Sequence, residues 1–572
     1  MKNPAKHRRW LFPWAAVVLP LLLIALACGA AEKPAPTPTS APVAVPTPTA
    51  VATPTATPVG GVPQRGGTLT QYTGALSFPH WDMTQHSTPT GQGLAKIYMT
   101  LLNQPGGGGK VECDLCTKWS LEDGGKTMVF SLRDDIKFGD GKPITSKDMK
   151  YSLEKLMGQV DKVVNARMGF VKEYITALET PDDRTFIIRL SRPSAVVPQA
   201  LALAFAAILP EGTKRADLSA PPLGPNNKYI SGPFYVKESV QDSHVIFERN
   251  PNYFKKGLPY LDSVKDQTFA DTGSGTTALL VGKIDLYVAI DSPPFQFWPQ
   301  LNRMAKADQM GSLETPQWCI PGNLYLNLND PLLKDSKVRH AINLAIDRTE
   351  YGNVRYSGDY VVAAHFPAGT QWGRQANEIW DVMEGYGTGA NKKAEQLKGK
   401  QLLAEAGYPN GIDKFALMSS STDFTFGGGE VIQRNLKTIG ITSQIVANPP
   451  DAQQLWAAGK YTAHNYRSCL ALDDPDELVS GYFLKAGARN LQYYENAEVE
   501  RLYPVMSAET DPIKRKQLFF QIEDIVYQDL PILTFVDGNR VYWYASKVHG
   551  FNPGRTIYAV ATHRAETYWL AK

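Results

Sequence analysis

Alternating apolar and polar residues predict strands at several places in the chain. In TMVFSLR (127–133) every second residue is Met, Phe or Leu, and the residues between them point to the other face. The segments 185–193 and 243–254 have the same period of two, and each ends near a proline. RGGTLTQY (65–72) opens with a glycine pair and continues as a β-rich run. The pattern therefore predicts strands at all four places.

Other segments repeat their apolar residues at helical spacing. Thr145 and Asp148 are placed as a capping box at the start of one such helix. The segment 335–348 places an aspartate before an amphipathic run, and 392–411 is predicted to be a helix that Gly407 ends, with Pro409 just beyond. The segment 428–447 reads as a helix, a glycine and a strand. Mixed helices and strands without a repeat of 20–50 residues predict an α/β or α+β chain.

The N-terminal residues have the three parts of an export signal. Four basic residues precede an apolar run that extends from about Trp10 to Ala27, and small residues lead into Cys28. The letters ALAC resemble the lipobox of bacterial lipoproteins, which implies that 1–27 is removed and that Cys28 is lipidated. The alternative is an uncleaved membrane anchor, although two prolines inside the apolar run disfavour a helix there.

A low-complexity tract separates this leader from the rest of the chain. Residues 28–63 are predicted to form the lipidated cysteine and a Pro/Thr-rich stalk that cannot bury a core. The formal charge of the whole chain is +3, and it becomes −1 once the four basic residues of 1–27 are removed. The remainder therefore does not favour a nucleic-acid surface.

Catalytic and metal-binding motifs are missing from the sequence. It contains no GxSxG, HExxH or Walker motif, and its nine histidines have no ligand spacing. The glycine-rich TGSGTTALL (272–280) lacks the lysine of a phosphate loop and is interpreted as a loop and a helix start. We therefore predict no enzyme activity, no cofactor and no metal site. A tethered extracellular hydrolase is the alternative.

The series of motifs from 113 onwards resembles the family-5 extracellular solute-binding proteins, which are the dipeptide, oligopeptide and nickel receptors of ABC importers. The resemblance begins in 113–156, where Gly139 stands in place of the family's usual histidine. It continues in order through SGPFYV, ERNPNYF, VGKIDL, KVRHAINLAIDR, LLAEAGYPNG, LKTIGI and QDLPIL. The matching motifs span about 65–545.

This resemblance implies a two-lobe periplasmic-binding-protein fold of type II, with a hinge and a central ligand cleft. Lobe I is expected over 64–317, with an inserted subdomain at about 92–222. Lobe II is expected over 318–534, and 535–572 returns to lobe I. The implied function is a monomeric, lipid-anchored receptor on the outer face of the cell membrane that delivers a solute to an ABC permease and its ATPase.

The resemblance also implies where the ligand binds. In peptide-binding members an aspartate after a cysteine holds the ligand's ammonium group, but Ala471 occupies that position here. The ligand is expected to be a peptide, with an oligosaccharide, an opine-like compound or a chelated metal as alternatives. Seven residues are predicted to contact it: Trp81, Gln85, His86, Trp318, Tyr466, Arg467 and Asp473.

The cysteines other than Cys28 form two pairs in the sequence. The family resemblance implies a disulfide between Cys319 and Cys469, with two buried free thiols as the alternative. Cys113 and Cys116 form a CxxC motif, for which a local disulfide, buried thiols, a redox pair and half a zinc site all stay open.

Overall fold

The computed structural model of the 572-residue chain describes residues 62–572 with several gaps. The residues left out within that range are 75–79, 87–88, 105–109, 166–167, 290–292, 316–318, 357, 420–426, 448–454, 457, 471, 473, 539 and 553–563. The predicted leader and all but the last two residues of the predicted stalk lie outside the described residues. Within the described ranges, no helix combines the length and apolar character that a membrane span needs.

The strands are distributed along the whole described chain. In chain order they are β1 Thr68–Tyr72, β2 Leu102–Asn103, β3 Glu112–Cys113, β4 Cys116–Glu122, β5 Thr127–Leu132, β6 Ile175–Glu179, β7 Thr185–Leu190, β8 Phe234–Val240, β9 His244–Arg249, β10 Ser263–Gln267, β11 Leu286–Tyr287, β12 Met310–Thr315, β13 Cys319–Leu326, β14 Val361–Val362, β15 Ile412–Ser419, β16 Ile441–Ala447, β17 Ala463–Cys469, β18 Ile532–Leu533, β19 Val536–Asp537, β20 Arg540–Ala545, β21 Val548–His549 and β22 Trp569–Leu570.

The α-helices alternate with these strands. In chain order they are α1 Ser146–Leu156, α2 Val196–Ala200, α3 Thr272–Leu280, α4 Trp298–Lys306, α5 Ser336–Ala345, α6 Arg348–Tyr356, α7 Ala376–Trp380, α8 Gly389–Glu405, α9 Gly428–Thr438, α10 Pro475–Leu478, α11 Ala497–Ala508 and α12 Pro512–Asp529. A one-turn 3₁₀ helix covers Met83–Gln85, another 3₁₀ segment covers Gly169–Glu173, and a π-helical turn follows α10 at Val479–Phe483.

Two large sheets organise the structure. The first has the strand order β12-β20-β11-β1-β10-β9-β8, and the second has the order β16-β15-β17-β13-β18. The chain leaves the first sheet after β12 and returns to it only with β20. The second sheet and the helices around it are therefore built from one continuous stretch of chain.

A smaller antiparallel sheet lies in sequence between β1 and β8. Its strand order is β4-β5-β7-β6, and α1 connects β5 to β6. Met128 and Phe130 of β5 are fully buried in the same hydrophobic cluster as Leu69 of β1. This smaller sheet therefore shares its core with the first large sheet.

The second large sheet buries side chains on both faces. Leu324 and Tyr325 are neighbours on β13, and alternation along the strand sends them to opposite faces. Leu324 joins a cluster with helices α5 and α9, whereas Tyr325 joins a cluster with α11 and α12. Continuous burial on both faces is typical of a sheet with helices on each side.

The predicted local elements are confirmed where a cap or an alternation defined them. The Asp148 carboxylate accepts a hydrogen bond from the backbone nitrogen of Thr145 at 2.8 Å, as the capping box requires. Asp335 accepts from the backbone nitrogen of Lys337 at 2.8 Å and caps α5. The alternating segments 127–133 and 185–193 form β5 and β7.

Two predictions from the pattern need correction. The single helix expected over 335–348 is two helices, because the backbone of Ile346 turns to extended angles (φ −70°, ψ 117°) after α5. Arg348 then opens α6 and donates from Nε to the backbone oxygen of Thr534 at 2.9 Å. The glycine-rich segment 272–280 is helical from its first residue, because Asp271 caps it directly.

Gly139 departs from the family pattern for a steric reason. A Cβ atom at this position would lie 2.5 Å from the backbone oxygens of both Asn227 and Pro225. Real Cβ atoms do not approach carbonyl oxygens so closely, so the loop around 225–227 excludes any side chain here. This loop therefore leaves no room for the histidine that the family pattern has at this position.

Candidate functional site

The candidate site lies where parallel strands of the two large sheets end. β1 runs parallel to β10 and β11, and β15 runs parallel to β16 and β17. In open α/β sheets, ligands bind in the crevice beyond the carboxyl ends of the strands. The chain that leaves β1 carries the predicted residues 81–86. The chain at the end of β17 carries the predicted residues 466–473.

On the first sheet, Asp82 organises the chain after β1. Its Oδ1 accepts hydrogen bonds from Thr84 through the backbone nitrogen at 3.1 Å and through Oγ1 at 2.6 Å. This cap starts the 3₁₀ turn Met83–Gln85. Its Oδ2 lies 3.0 Å from Nζ of Lys155 on α1, and neither side chain is exposed to solvent.

Lys155 also binds a second carboxylate, that of Asp161. Gln85 donates from Nε2 to the same Asp161 oxygen at 2.5 Å. Its own Oε1 is buried and accepts no hydrogen bond from any described residue. A buried acceptor without a donor is costly unless a ligand or water satisfies it. Gln85 therefore presents an acceptor that a ligand could use.

Trp81 and His86 are more buried than a ligand contact requires. The indole of Trp81 is 3% exposed and belongs to the core cluster of the first sheet. The ring of His86 lies 4.4 Å from that of His80 and hydrogen-bonds through Nε2 to the His80 backbone oxygen at 2.8 Å. Both residues therefore support the segment from inside, and their contact with a ligand stays a prediction.

Burial also sets the charge of the histidines on this segment. Desolvation is the largest of the effects that lower the pKa of His80 to about 4, and the neighbouring His86, Arg215 and Lys155 contribute to the same shift. Desolvation likewise lowers the pKa of His86. Both imidazoles are thus neutral at pH 7.

On the second sheet, aromatic side chains gather on one face of β13 and β17. The register places Tyr325 opposite His464 and Asn323 opposite Tyr466. The Trp456 ring lies 4.7 Å from Tyr466 and 4.8 Å from His464. His464 and Tyr466 are two residues apart on one strand and therefore point to the same face.

His464 is the polar centre of this aromatic cluster. It is 1% exposed, and neither ring nitrogen has a hydrogen-bond partner among the described residues. Desolvation alone lowers its pKa to about 4, so the ring is neutral at pH 7. The sequence prediction included Tyr466 but missed His464, although the strand period of two would have placed both on one face.

Several predicted residues cannot be placed as side chains. Trp318 and Asp473 lie outside the described residues, as do Ala471 and Cys28. Arg467 lies on β17, where its backbone is part of the strand. Trp81, Gln85 and His86 thus lie in the segment around the turn Met83–Gln85 that follows β1, and Tyr466 lies in the aromatic cluster of the second sheet.

The CxxC motif forms a disulfide. Cys113 and Cys116 are bonded, and their Cα atoms lie 5.0 Å apart. Of the alternatives left open by the sequence, the structure shows the local disulfide. Among the residues that the structure describes, no cluster of three or more His, Cys, Asp or Glu side chains could hold a metal ion.

Comparison with known proteins identifies relatives along most of the chain. A family model described as bacterial extracellular solute-binding proteins, family 5 Middle, matches residues 110–490. The oligopeptide-binding protein AppA of Bacillus subtilis (strain 168) is 25% identical over 548 residues, which are 90% of this chain and 93% of AppA.

Solved structures show the same fold. The binding protein AgaA from A. tumefaciens R10, in complex with agropinic acid, has a TM-score of 0.73 at 24% identity and covers 88% of this chain and 99% of its own. The periplasmic binding protein DppA of Helicobacter pylori, in complex with the peptide STSA, has a TM-score of 0.73 at 22% identity over 89% of this chain and 99% of its own. At this identity the likeness shows the two-lobe fold alone.

Proposed function

Because the chain belongs to the bacterial extracellular solute-binding proteins of family 5, the receptors of ABC importers, we propose that it captures a short peptide between two lobes and delivers it to a permease. The match of residues 110–490 to the family model carries this proposal, and the name of AppA supports the peptide class. The relatives are binding proteins, so the chain is a receptor rather than an enzyme.

We propose the domain limits as the sequence predicted them. Lobe I covers 64–317 with its inserted subdomain at about 92–222, lobe II covers 318–534, and 535–572 returns to lobe I. Strand pairing supports the limit between lobe I and lobe II, because the chain changes sheet between β12 and β13. β19 still pairs with β14 of lobe II, so the strand pairing puts the return to lobe I after residue 537 rather than at 535.

The ligand contacts are proposed on both lobes. Lobe I offers the Gln85 acceptor, and lobe II offers the partly exposed Tyr466 ring beside Trp456. Neutral acceptors and aromatic rings suit an extended ligand that is held through its backbone and by stacking. The complete proposed set remains Trp81, Gln85, His86, Trp318, Tyr466, Arg467 and Asp473.

A second ligand class has its own support. Ala471 removes the carboxylate that would hold a peptide ammonium group. The structurally similar AgaA was solved with agropinic acid, an opine, so an opine-like compound is the second candidate. An oligosaccharide and a chelated metal remain as further alternative ligands after the peptide and the opine-like compound.

Native mass spectrometry of the purified protein tests the ligand class. A heterogeneous set of short peptides released from the protein would support peptide uptake despite Ala471. One defined opine-like mass would favour the second candidate. A single sugar or metal complex would contradict both.

We also propose that Cys28 carries the lipid that holds the receptor at the outer face of the membrane, with 28–63 as the stalk. A Pro/Thr-rich chain of about 35 residues reaches on the order of 100 Å. A Cys28→Ala variant should move from the membrane fraction to the soluble fraction, as followed by immunoblotting. Continued fractionation of the variant with membranes would contradict the lipid anchor.

The proposed disulfide between Cys319 and Cys469 has support from strand register. The two residues are directly opposite each other in the antiparallel pair β13–β17. Cα atoms of such pairs lie about 4.5–5.5 Å apart, which is within the range that a disulfide spans. Unreduced Cys28→Ala protein should therefore contain no thiol that iodoacetamide can alkylate. Two alkylated thiols at Cys319 and Cys469 would exclude the bond, and the Cys113–Cys116 pair serves as the internal control.

A further inference from the structure

A buried cluster of hydroxyl groups joins the inserted subdomain to lobe II. Tyr174, at the end of the 3₁₀ segment Gly169–Glu173, is fully buried. Its hydroxyl lies 2.6 Å from Oγ of Ser507 and 3.2 Å from the hydroxyl of Tyr503. Both partners lie on α11 of lobe II, one turn apart, and therefore share a helix face. This contact joins residues more than 300 positions apart in the chain.

A cation from the same subdomain covers this contact. The guanidinium carbon of Arg192, which follows β7, lies 4.3 Å from the centre of the Tyr174 ring and 6.0 Å from that of Tyr503. Its Nε also lies 3.5 Å from Oγ of Ser507. A guanidinium over two aromatic faces is attracted by both rings. Two separate segments of the subdomain thus contact one face of α11.

Charges in lobe II lie directly behind the hydroxyl cluster. Arg515 of α12 forms ion pairs with Asp474 at 2.7 Å and with Asp476 at 2.5 Å, and all three side chains are buried. Burial raises the pKa of the Tyr174 hydroxyl, and the nearby Asp476 carboxylate raises it further. Tyr174 therefore stays protonated and can act as a donor.

An apolar contact crosses between the lobes in the same stretch of lobe II. Leu472 is 2% exposed, and its side chain is buried in the hydrophobic cluster of lobe I. Its backbone nitrogen is fixed by Glu477 of α10 at 2.9 Å. Lobe II thus meets lobe I both through this leucine and through the hydroxyl cluster.

We propose that Tyr174, Arg192, Tyr503 and Ser507 form a latch that holds the inserted subdomain against lobe II and sets the fraction of closed protein. None of the residues proposed to contact the ligand belongs to this latch. A group that stabilises only the closed form raises the affinity for every ligand by the same factor. The inference rests on the two-lobe fold and does not depend on which solute is bound.

The latch is testable without a ligand. Single-molecule energy transfer between dyes on unnatural amino acids at Leu121 and Leu397, which are 52% and 66% exposed, would report the distance between the subdomain and lobe II. Each lost hydrogen bond is expected to change the closed-to-open ratio about two- to tenfold. The double variant Tyr174→Phe/Ser507→Ala should therefore shift the ratio towards the open form by about tenfold or more.

Tyr151→Phe is the matched control. It removes a hydroxyl that donates to the backbone oxygen of Thr213 at 2.8 Å, a contact within the same subdomain. The control should keep the wild-type distance distribution. An unchanged distribution in the double variant, with a wild-type circular dichroism spectrum, would overturn the latch. If the double variant does not fold, Arg192→Gln removes the partly exposed cation instead and should shift the ratio in the same direction.

A binding measurement separates this inference from the peptide proposal. Trialanine should bind the control as it binds the wild type, and the double variant more weakly by the factor seen in the distance measurement. If neither the wild type nor the variants bind trialanine, the peptide proposal loses support. The distances measured without ligand still test the latch.

Discussion

A Lys155→Met variant is expected to lose about 3–5 kcal/mol of its free energy of unfolding, as measured by urea denaturation. Lys155 Nζ neutralises Asp82 at 3.0 Å, and both side chains are inaccessible to solvent. Methionine has a similar volume but no charge, so it leaves the Asp82 carboxylate buried without a counter-ion. The two hydrogen bonds from Thr84 offset only part of that cost.

Two further variants make this prediction specific. Lys147→Met removes a lysine from the same helix, but its ion pair with Asp183 is 3.8 Å long and largely exposed. Exposed pairs contribute about 0–1 kcal/mol, so this control should differ little from the wild type. Adding Asp82→Asn to Lys155→Met should recover much of the lost stability. No recovery would mean that lost packing, rather than the unpaired carboxylate, destabilises the variant.

The same substitution should weaken ligand binding. Asp82 caps the turn Met83–Gln85, and Gln85 shares the Asp161 carboxylate with Lys155. Loss of the lysine frees both aspartates to move and displaces the segment that carries the proposed lobe I contacts. The stability and affinity losses should therefore appear together in Lys155→Met and be absent from Lys147→Met.

Local signals explain why much of the secondary structure was predictable. Asp335 and Asp148 cap their helices through hydrogen bonds to residues two or three positions away, so the information lies within one turn of chain. For the break between α5 and α6, the neighbouring sequence contains no comparable local signal. The break depends on Arg348 reaching the Thr534 backbone almost 190 residues later, which a local pattern cannot reveal.

The candidate site was predictable only where the family resemblance covered it. Lys155 and Asp82 are separated by 73 positions and meet because α1 packs against the turn after β1. No periodicity in either segment predicts the ion pair between these two residues. The position of Tyr466 followed from the resemblance. His464 is identified only by its place on the same face of β17 as Tyr466.

Buried histidines should make the protein sensitive to acid. Burial lowers the pKa values of His80 and His464 to about 4, whereas a histidine in the unfolded chain titrates near 6.5. Between these values the unfolded chain binds more protons, so the free energy of unfolding falls as the pH drops from about 6.5 to 4. Above pH 6.5 these histidines are neutral in both the folded and the unfolded chain, so their contribution to the free energy of unfolding is fully present. The His464 shift is worth about 3 kcal/mol at pH 4, and the His80 shift acts in the same direction.

A histidine variant isolates this effect from the titration of carboxylates. His464→Phe keeps a ring within the cluster of Trp456 and Tyr466 but cannot take up a proton. Relative to the wild type, it should gain about 3 kcal/mol when urea unfolding at pH 4 is compared with pH 7. His549→Phe, on a partly exposed ring stacked 4.2 Å from Trp569, is the control. A stability difference between His464→Phe and the wild type that is equal at both pH values would show that His464 has the same pKa in the folded and the unfolded chain, which would contradict the prediction.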